Sequence, residues 1–159
     1  MMELPTLVEN KEIVHVVPAG VDPLYLRELI HNFRNSVIAL QTELLKFPQV
    51  ECNVKHHFIK GAYCREIFIP AGTLIIGKIH KDECLVIVSK GRALVASEFA
   101  QREIIAPCSF VAPALTKQIG YHSEDTIWTT VHVTDETDIA KLEAELAYPD
   151  YPEEVDACH

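Results

Sequence analysis

Three short stretches place chemically able side chains at alternating positions. They are Lys78, His80, Asp82 and Cys84 in GKIHKDEC, Gln118, Gly120 and His122 in KQIGYH, and Trp128, Thr130 and His132 in TIWTTVH. Residues two apart on a β-strand share a face, so each set projects into one space if its stretch is extended. Should the three faces converge, His80, His122 and His132, joined by Cys84 or a carboxylate, form a candidate site for one divalent ion. Zn, Fe, Ni and Mn are the candidates, because such ions take three or four imidazole, thiolate or carboxylate donors. The ammonium of Lys78 opposes a cation there, which leaves a second chemistry open. In it Lys78, His80, Gln118, His122, Trp128 and His132 line a metal-free pocket, where ammonium and imidazole bind a substrate anion through charge-assisted hydrogen bonds.

Glu83 and Glu124 are candidate catalytic acid–base groups if partial burial raises their pKa; otherwise KDE and SED are solvated turns. Arg65, Glu66, Lys117 and Asp125 are further charges expected around the pocket mouth. Every candidate has a plainer alternative. His132, between Val131 and Val133, also suits a hydrogen-bonded core position, His122 a loop beside SED, and Cys84, followed by LVIV, simple packing. His56 and His57 are adjacent on a strand, so at most one of them faces inward, and both are expected to be structural.

The elements that must position these residues are legible in the patterning. From residue 50 to about 133, short β-prone runs alternate with Gly, Pro and Asn, as in NVKHHFI, AYCREIFI, TLIIGKIHK, CLVIVSKG, RALVASE, REIIAPC, SFVAP, KQIGYH and TIWTTVHVT. Eight or nine strands with no intervening helix indicate an antiparallel barrel or double-sheet jelly roll. Before them, a short strand is expected in EIVHVVPAGV. Asp22 followed by Pro23 then marks a helix N-cap and first turn. Leu26, Ile30, Phe33, Val37, Leu40 and Leu44 recur at alternating spacings of four and three, predicting an amphipathic helix to about Lys46. That seam either packs on its own domain or pairs with a copy in another chain, so a homo-oligomer is expected. TDETDIAKLEAELAY predicts a short capped C-terminal helix, and PDYPEEVDACH an exposed acidic end whose Cys158 and His159 are a stray metal-binding possibility.

Bulk properties exclude several classes. A net charge of −9, with Lys and Arg scattered, argues against nucleic acid as a partner. No apolar run is long enough for a membrane helix, and MMELPTLVENKEIV lacks the pattern of a signal peptide, so a cytoplasmic location is expected. The five cysteines form an odd set with no CxxC pair, against a disulfide framework or a structural zinc knuckle. The chain length and 48% apolar content fit one main domain with a sizeable core. It divides into 1–49 (strand, helix, possible oligomerisation element), 50–134 (barrel) and 135–159 (helix and tail).

PAGTLIIGKIHKDECLVIVSKG resembles the first motif of the cupin superfamily: Pro-Gly, five residues, His-x-His, three or four residues, Glu, six residues, Gly. With Gly72 on the motif glycine, Lys78 takes the first His position, His80 the second, Cys84 the Glu position and Gly91 the closing glycine. In the second motif, Pro113 falls on the proline, Leu115 on a glycine, Gln118 on the His and His122 on the Asn. REIFIPAGTLIIGKIHK and GYHSEDTIWTTVHVT also resemble small cupin-like proteins of tailed phages and prophages, which would place the chain in a host cytoplasm. The resemblance implies a mainly β, double-stranded β-helix (jelly roll) with an N-terminal amphipathic helix and a short C-terminal helix. It implies a degenerate metal site, with one ligand of four retained. A small-molecule-binding role follows. The alternatives are a metal-dependent dioxygenase, lyase or isomerase acting on a small polar metabolite through rearranged histidines, and a structural or host-interaction phage protein.

Overall fold

The computed structural model describes residues 12–14, 22–149 and 151. In chain order the elements are β1 (Glu12–Val14), α1 (Pro23–Leu44), β2 (Asn53–Ile59), β3 (Ala62–Ile69), β4 (Thr73–Ile76), β5 (Ile79–His80) and β6 (Cys84–Lys90). There follow β7 (Arg92–Ala96), β8 (Ala100–Ile105), β9 (Cys108–Ala112), β10 (Ile119–His122), β11 (Thr126–His132), α2 (Ile139–Leu146) and β12 (Ala147–Tyr148). Two five-stranded antiparallel sheets run β1-β8-β7-β10-β4 and β2-β3-β11-β6-β9. Taken in chain order, β3, β6, β9 and β11 fall in one sheet and β4, β7, β8 and β10 in the other. That crossing pattern defines an eight-stranded jelly roll, the double-stranded β-helix of cupins.

Alternation along the strands builds the core. In β6, Cys84, Val86 and Val88 are buried while Leu85 and Ile87 face outward. Facing them across the barrel are Ala93 and Val95 of β7 and Ile104 of β8, and beside them in the same sheet is Ala112 of β9, with Phe110 and Trp128 packed alongside. Gly91 joins β6 to β7 at φ +97°, and a Cβ there would stand 2.5 Å from the Asp125 carbonyl oxygen. Only glycine meets both demands.

α1 begins where expected, with the Asp22 side chain accepting from Leu24 N at 3.0 Å and Pro23 in the first turn. Its seam is divided. Arg34 and Val37 are buried, Ile30, Phe33 and Leu44 half-buried, and Leu40 exposed. Arg34 Nε lies 3.4 Å from Glu98 Oε1, and its guanidinium covers the Tyr151 ring at 4.4 Å. Glu98, its side chain fully buried, also accepts from Lys117 N at 3.2 Å and from the Tyr151 hydroxyl. One carboxylate therefore ties α1, two barrel loops and the C-terminal segment together, and Tyr151 is docked rather than loose. Cys158 and His159 lie outside the described residues.

Two expectations need correction. TLIIGKIHK is not one strand: β4 stops at Ile76, Gly77 N turns to the Gln118 carbonyl at 2.9 Å, and β5 leaves the large sheets to pair with β12. Lys117, expected at the pocket mouth, is instead buried at 1% exposed and away from the cavity lining, whereas Lys78 stands at the cavity edge against Glu143 Oε2 at 3.3 Å with 55% of its side chain exposed. A strand count through the turn at residues 81–83 could not foresee this, because alternation holds only while the ladder continues.

Candidate metal centre and ligand cavity

The barrel encloses a cavity of about 340 Å³ bounded by both sheets and covered at one end by α2 and β12. β3 supplies Tyr63, Arg65, Ile67 and Ile69, and β11 supplies Trp128, Thr130 and His132, each at alternating positions. β4 adds Ile75, β6 Val86 and β7 Val95. The cover is Ile139, Leu142, Glu143 and Leu146. It is fastened by the Ala147–His80 pairing, by Lys81 N donating to Leu146 O at 2.9 Å, and by Lys81 Nζ donating to Ala144 O at 2.6 Å.

All six residues expected to bind a ligand, Lys78, His80, Gln118, His122, Trp128 and His132, line this cavity. They do not form one cluster. Donor atoms of His80, Cys84 and His132 lie within 4.8 Å of one another. His122 stands apart from them beside Trp128, its ring 6.0 Å away at 78°. Within the cluster His80 Nδ1 lies 3.2 Å from Cys84 Sγ, and the His80 and His132 rings meet edge to face at 5.1 Å. The His132 ring stacks on Tyr63, whose hydroxyl meets His56 Nδ1 at 2.7 Å. His56 thus faces inward and His57 outward. Glu83 is exposed, Glu124 pairs with Arg92 at 3.8 Å, Glu66 pairs with Lys55 at 2.9 Å, and Asp125 caps Ala71 N at 3.0 Å. None of these carboxylates lines the cavity.

Backbone conformation explains how His80 is held. Leu115 sits at φ +58° and its N–H donates to the His80 carbonyl at 2.9 Å. This is the position at which the motif has glycine, and a left-handed backbone is what glycine accommodates without cost. Gly72 and Gly91, the other aligned glycines, likewise have positive φ, +79° and +97°.

Burial dominates the electrostatics. It pushes the Cys84 thiol up to about 11. It lowers His132 to about 4, helped by the nearby charges of His80 and Arg65, and lowers His80 with help from Arg65. His122 is lowered by burial alone. The Cys84–His80 contact is therefore a neutral thiol beside a neutral imidazole, which lacks the thiolate a nucleophilic pair needs. Neutral imidazoles with a displaceable thiol proton do suit a borderline-soft divalent ion, which deprotonates the sulfur on binding. Of the four positions aligned with cupin ligands only His80 and Cys84 carry donors in the cluster, and His132 on β11 supplies the third.

Two participants escaped the sequence reading. Tyr63 and the α2 cover carry no motif, though TDETDIAKLEAELAY already predicted the helix itself. Among the described residues Arg65 makes no hydrogen bond or ion pair, and that solitary guanidinium beside the cluster was visible in sequence only as one charge among several.

No protein-family model and no curated protein matches this sequence. Solved structures of similar fold include a KdgF from Halomonas sp., at 18% identity over 53% of this chain and 82% of that one, TM-score 0.45. A cupin superfamily protein from Desulfitobacterium hafniense matches at 8% identity over 56% and 83%, TM-score 0.46. An acetylacetone dioxygenase from Acinetobacter johnsonii matches at 12% identity over 55% and 65%, TM-score 0.44. At such identities and TM-scores these likenesses carry no argument about activity, and the fold assignment stands on the strand order itself. Among the described residues no helix is long and apolar enough to cross a membrane.

Proposed function

We propose that this protein binds a small molecule in its barrel cavity beside one divalent ion held by His80, Cys84 and His132, in the manner of a metal-dependent enzyme. The supporting observation is the mutual approach of those three donors within 4.8 Å, with His80 and His132 on the cavity wall and Cys84 buried behind them. Three protein donors leave a coordination position for water or substrate, the feature that separates catalytic from structural zinc sites. Zn²⁺ is the ion best matched to two imidazoles and a thiolate. When bound, it would polarise a substrate oxygen or lower the pKa of a water. Tyr63 would hold the His132 ring by stacking, Leu115 N–H would anchor the His80 backbone, and the α2 cover would keep bulk water from the centre.

Co²⁺ serves as the probe for this centre. One equivalent added to the metal-free protein should produce sulfur-to-cobalt charge-transfer absorption, which Cys84→Ser should abolish and His132→Ala should weaken at least tenfold in affinity. Binding without that absorption, or binding unaffected by either change, defeats the proposal. A metal-free pocket is the second reading, favoured by the Arg65 guanidinium, whose charge opposes a cation and attracts an anion. A blank cobalt titration would leave that reading standing.

A further inference from the structure

The cavity has one uncompensated charge. Glu143 is the one carboxylate on its lining, and it pairs with Lys78. Arg65 is left without a partner among the described residues, its neighbour Glu66 facing the opposite side of β3 to meet Lys55. Protonation of any lining histidine would only add to the positive balance. A guanidinium desolvated by a cavity wall favours a planar anion that accepts two parallel hydrogen bonds.

Beyond Arg65 most of the wall between the sheets is hydrocarbon, from Ile67, Ile69, Ile75, Val86, Val95 and the Trp128 ring, and its neutral polar side chains there are Thr116, Thr130 and Gln118. A multiply charged or heavily hydroxylated ligand would lose its hydration there with too few polar partners to replace it. A ligand with one charge and an apolar body would not.

At the far end stands His122, 3% exposed, with Nδ1 sealed from solvent and lacking any hydrogen-bond partner. Its Nε2 lies over Gly120, where a Cβ would come within 3.3 Å, and Gly120 lines the same cavity. An orphaned buried N–H costs more than an orphaned acceptor, so the ring proton belongs on Nε2, facing the cavity. The floor therefore offers one donor. Arg65 pairs with Thr130 and Ile67 with Trp128, so the two ends are separated by two residues of β-strand, roughly 7 Å, before the side chains add their reach.

We propose that the cavity takes an apolar monocarboxylate bearing an oxygen at its far end, with the carboxylate on Arg65, the body against Trp128, and the distal oxygen accepting from His122 Nε2–H. This deepens the small-molecule role proposed above and uses none of the three metal donors.

Trp128 is the single tryptophan of the chain, so its fluorescence reports occupancy directly. Metal-free protein is titrated with hexanoate, 6-hydroxyhexanoate, 6-hydroxyhexanamide and 4-hydroxyphenylacetate, with calorimetry in parallel. The hydroxy acid should bind at least about tenfold more tightly than its amide, the scale of a charge-assisted hydrogen bond. Arg65→Gln should erase that preference. His122→Phe should erase the advantage of 6-hydroxyhexanoate over hexanoate and keep the preference for acid over amide. The proposal is overturned if no acid binds, if acid and amide bind equally to the wild type, or if the preference survives Arg65→Gln. Binding that appears only after Zn²⁺ is added and ignores Arg65→Gln would overturn it while supporting the metal centre. Arg65-dependent binding in metal-free protein upholds it even if the cobalt titration is blank. The wild-type acid-against-amide comparison decides the matter should either variant fail to fold.

Discussion

Acid should unfold the metal-free protein through His132. Its imidazole is 7% exposed and held at about 4, against 6.5 in the unfolded chain. Above pH 6.5 both states are neutral at this residue and its stability contribution is fully present. As pH falls below 6.5 the unfolded chain takes up a proton that the folded state refuses, so stability declines, and the loss is complete near pH 4. With these values the cost is about 2 kcal/mol between pH 7 and pH 5 and about 3 kcal/mol at the limit. His80 and His122, also lowered, add in the same direction. The assay is urea unfolding at pH 7, 6 and 5 in chelator, comparing wild type with His132→Gln. The variant starts less stable, having lost its contacts with Tyr63 and His80, so the quantity compared is the change with pH. His132→Gln should lose about 2 kcal/mol less than wild type over this interval. Equal pH dependence in the two proteins would refute the assignment of a buried, neutral His132.

Three further outcomes test the framework. Gly91→Ala combines an unfavourable φ with a Cβ 2.5 Å from a backbone oxygen, and should cost at least about 2 kcal/mol by urea unfolding; a loss below half that would mean the hairpin is placed wrongly. Glu98→Ala removes the carboxylate shared by Arg34, Lys117 and Tyr151 and should cost about 3–5 kcal/mol. Hydrogen exchange should then accelerate in α1, and unchanged α1 protection would contradict this docking. Lys78→Ala breaks an exposed pair and should shift stability by less than about 0.5 kcal/mol, whereas a large loss would contradict the solvent-exposed placement of this pair.

Local rules reached far in this chain because most of its strands are regular. Alternation in TIWTTVHVT placed Trp128 and His132 on one inward face, and Asp22-Pro23 marked the start of α1, since each signal depends only on neighbours along the chain. Spacing from Gly72 to Gly91 aligned His80 and Cys84 with metal positions, and the positive φ at both glycines and at Leu115 gives that alignment a backbone reason. What tertiary structure alone decided is who meets whom. His132 joins His80 and Cys84 because β11 lies beside β6 while β5 peels away to pair with β12. His122 sits with Trp128 because β10 belongs to the opposite sheet. The pairing of Lys78 with Glu143, the burial of Lys117 and the α2 cover arise from contacts between residues 19 to 69 positions apart, which no local period encodes. The sequence thus determined which histidines and aromatic residues of the regular strands face the cavity, and the crossing of the two sheets determined which of them form a centre and which are left to hold a ligand.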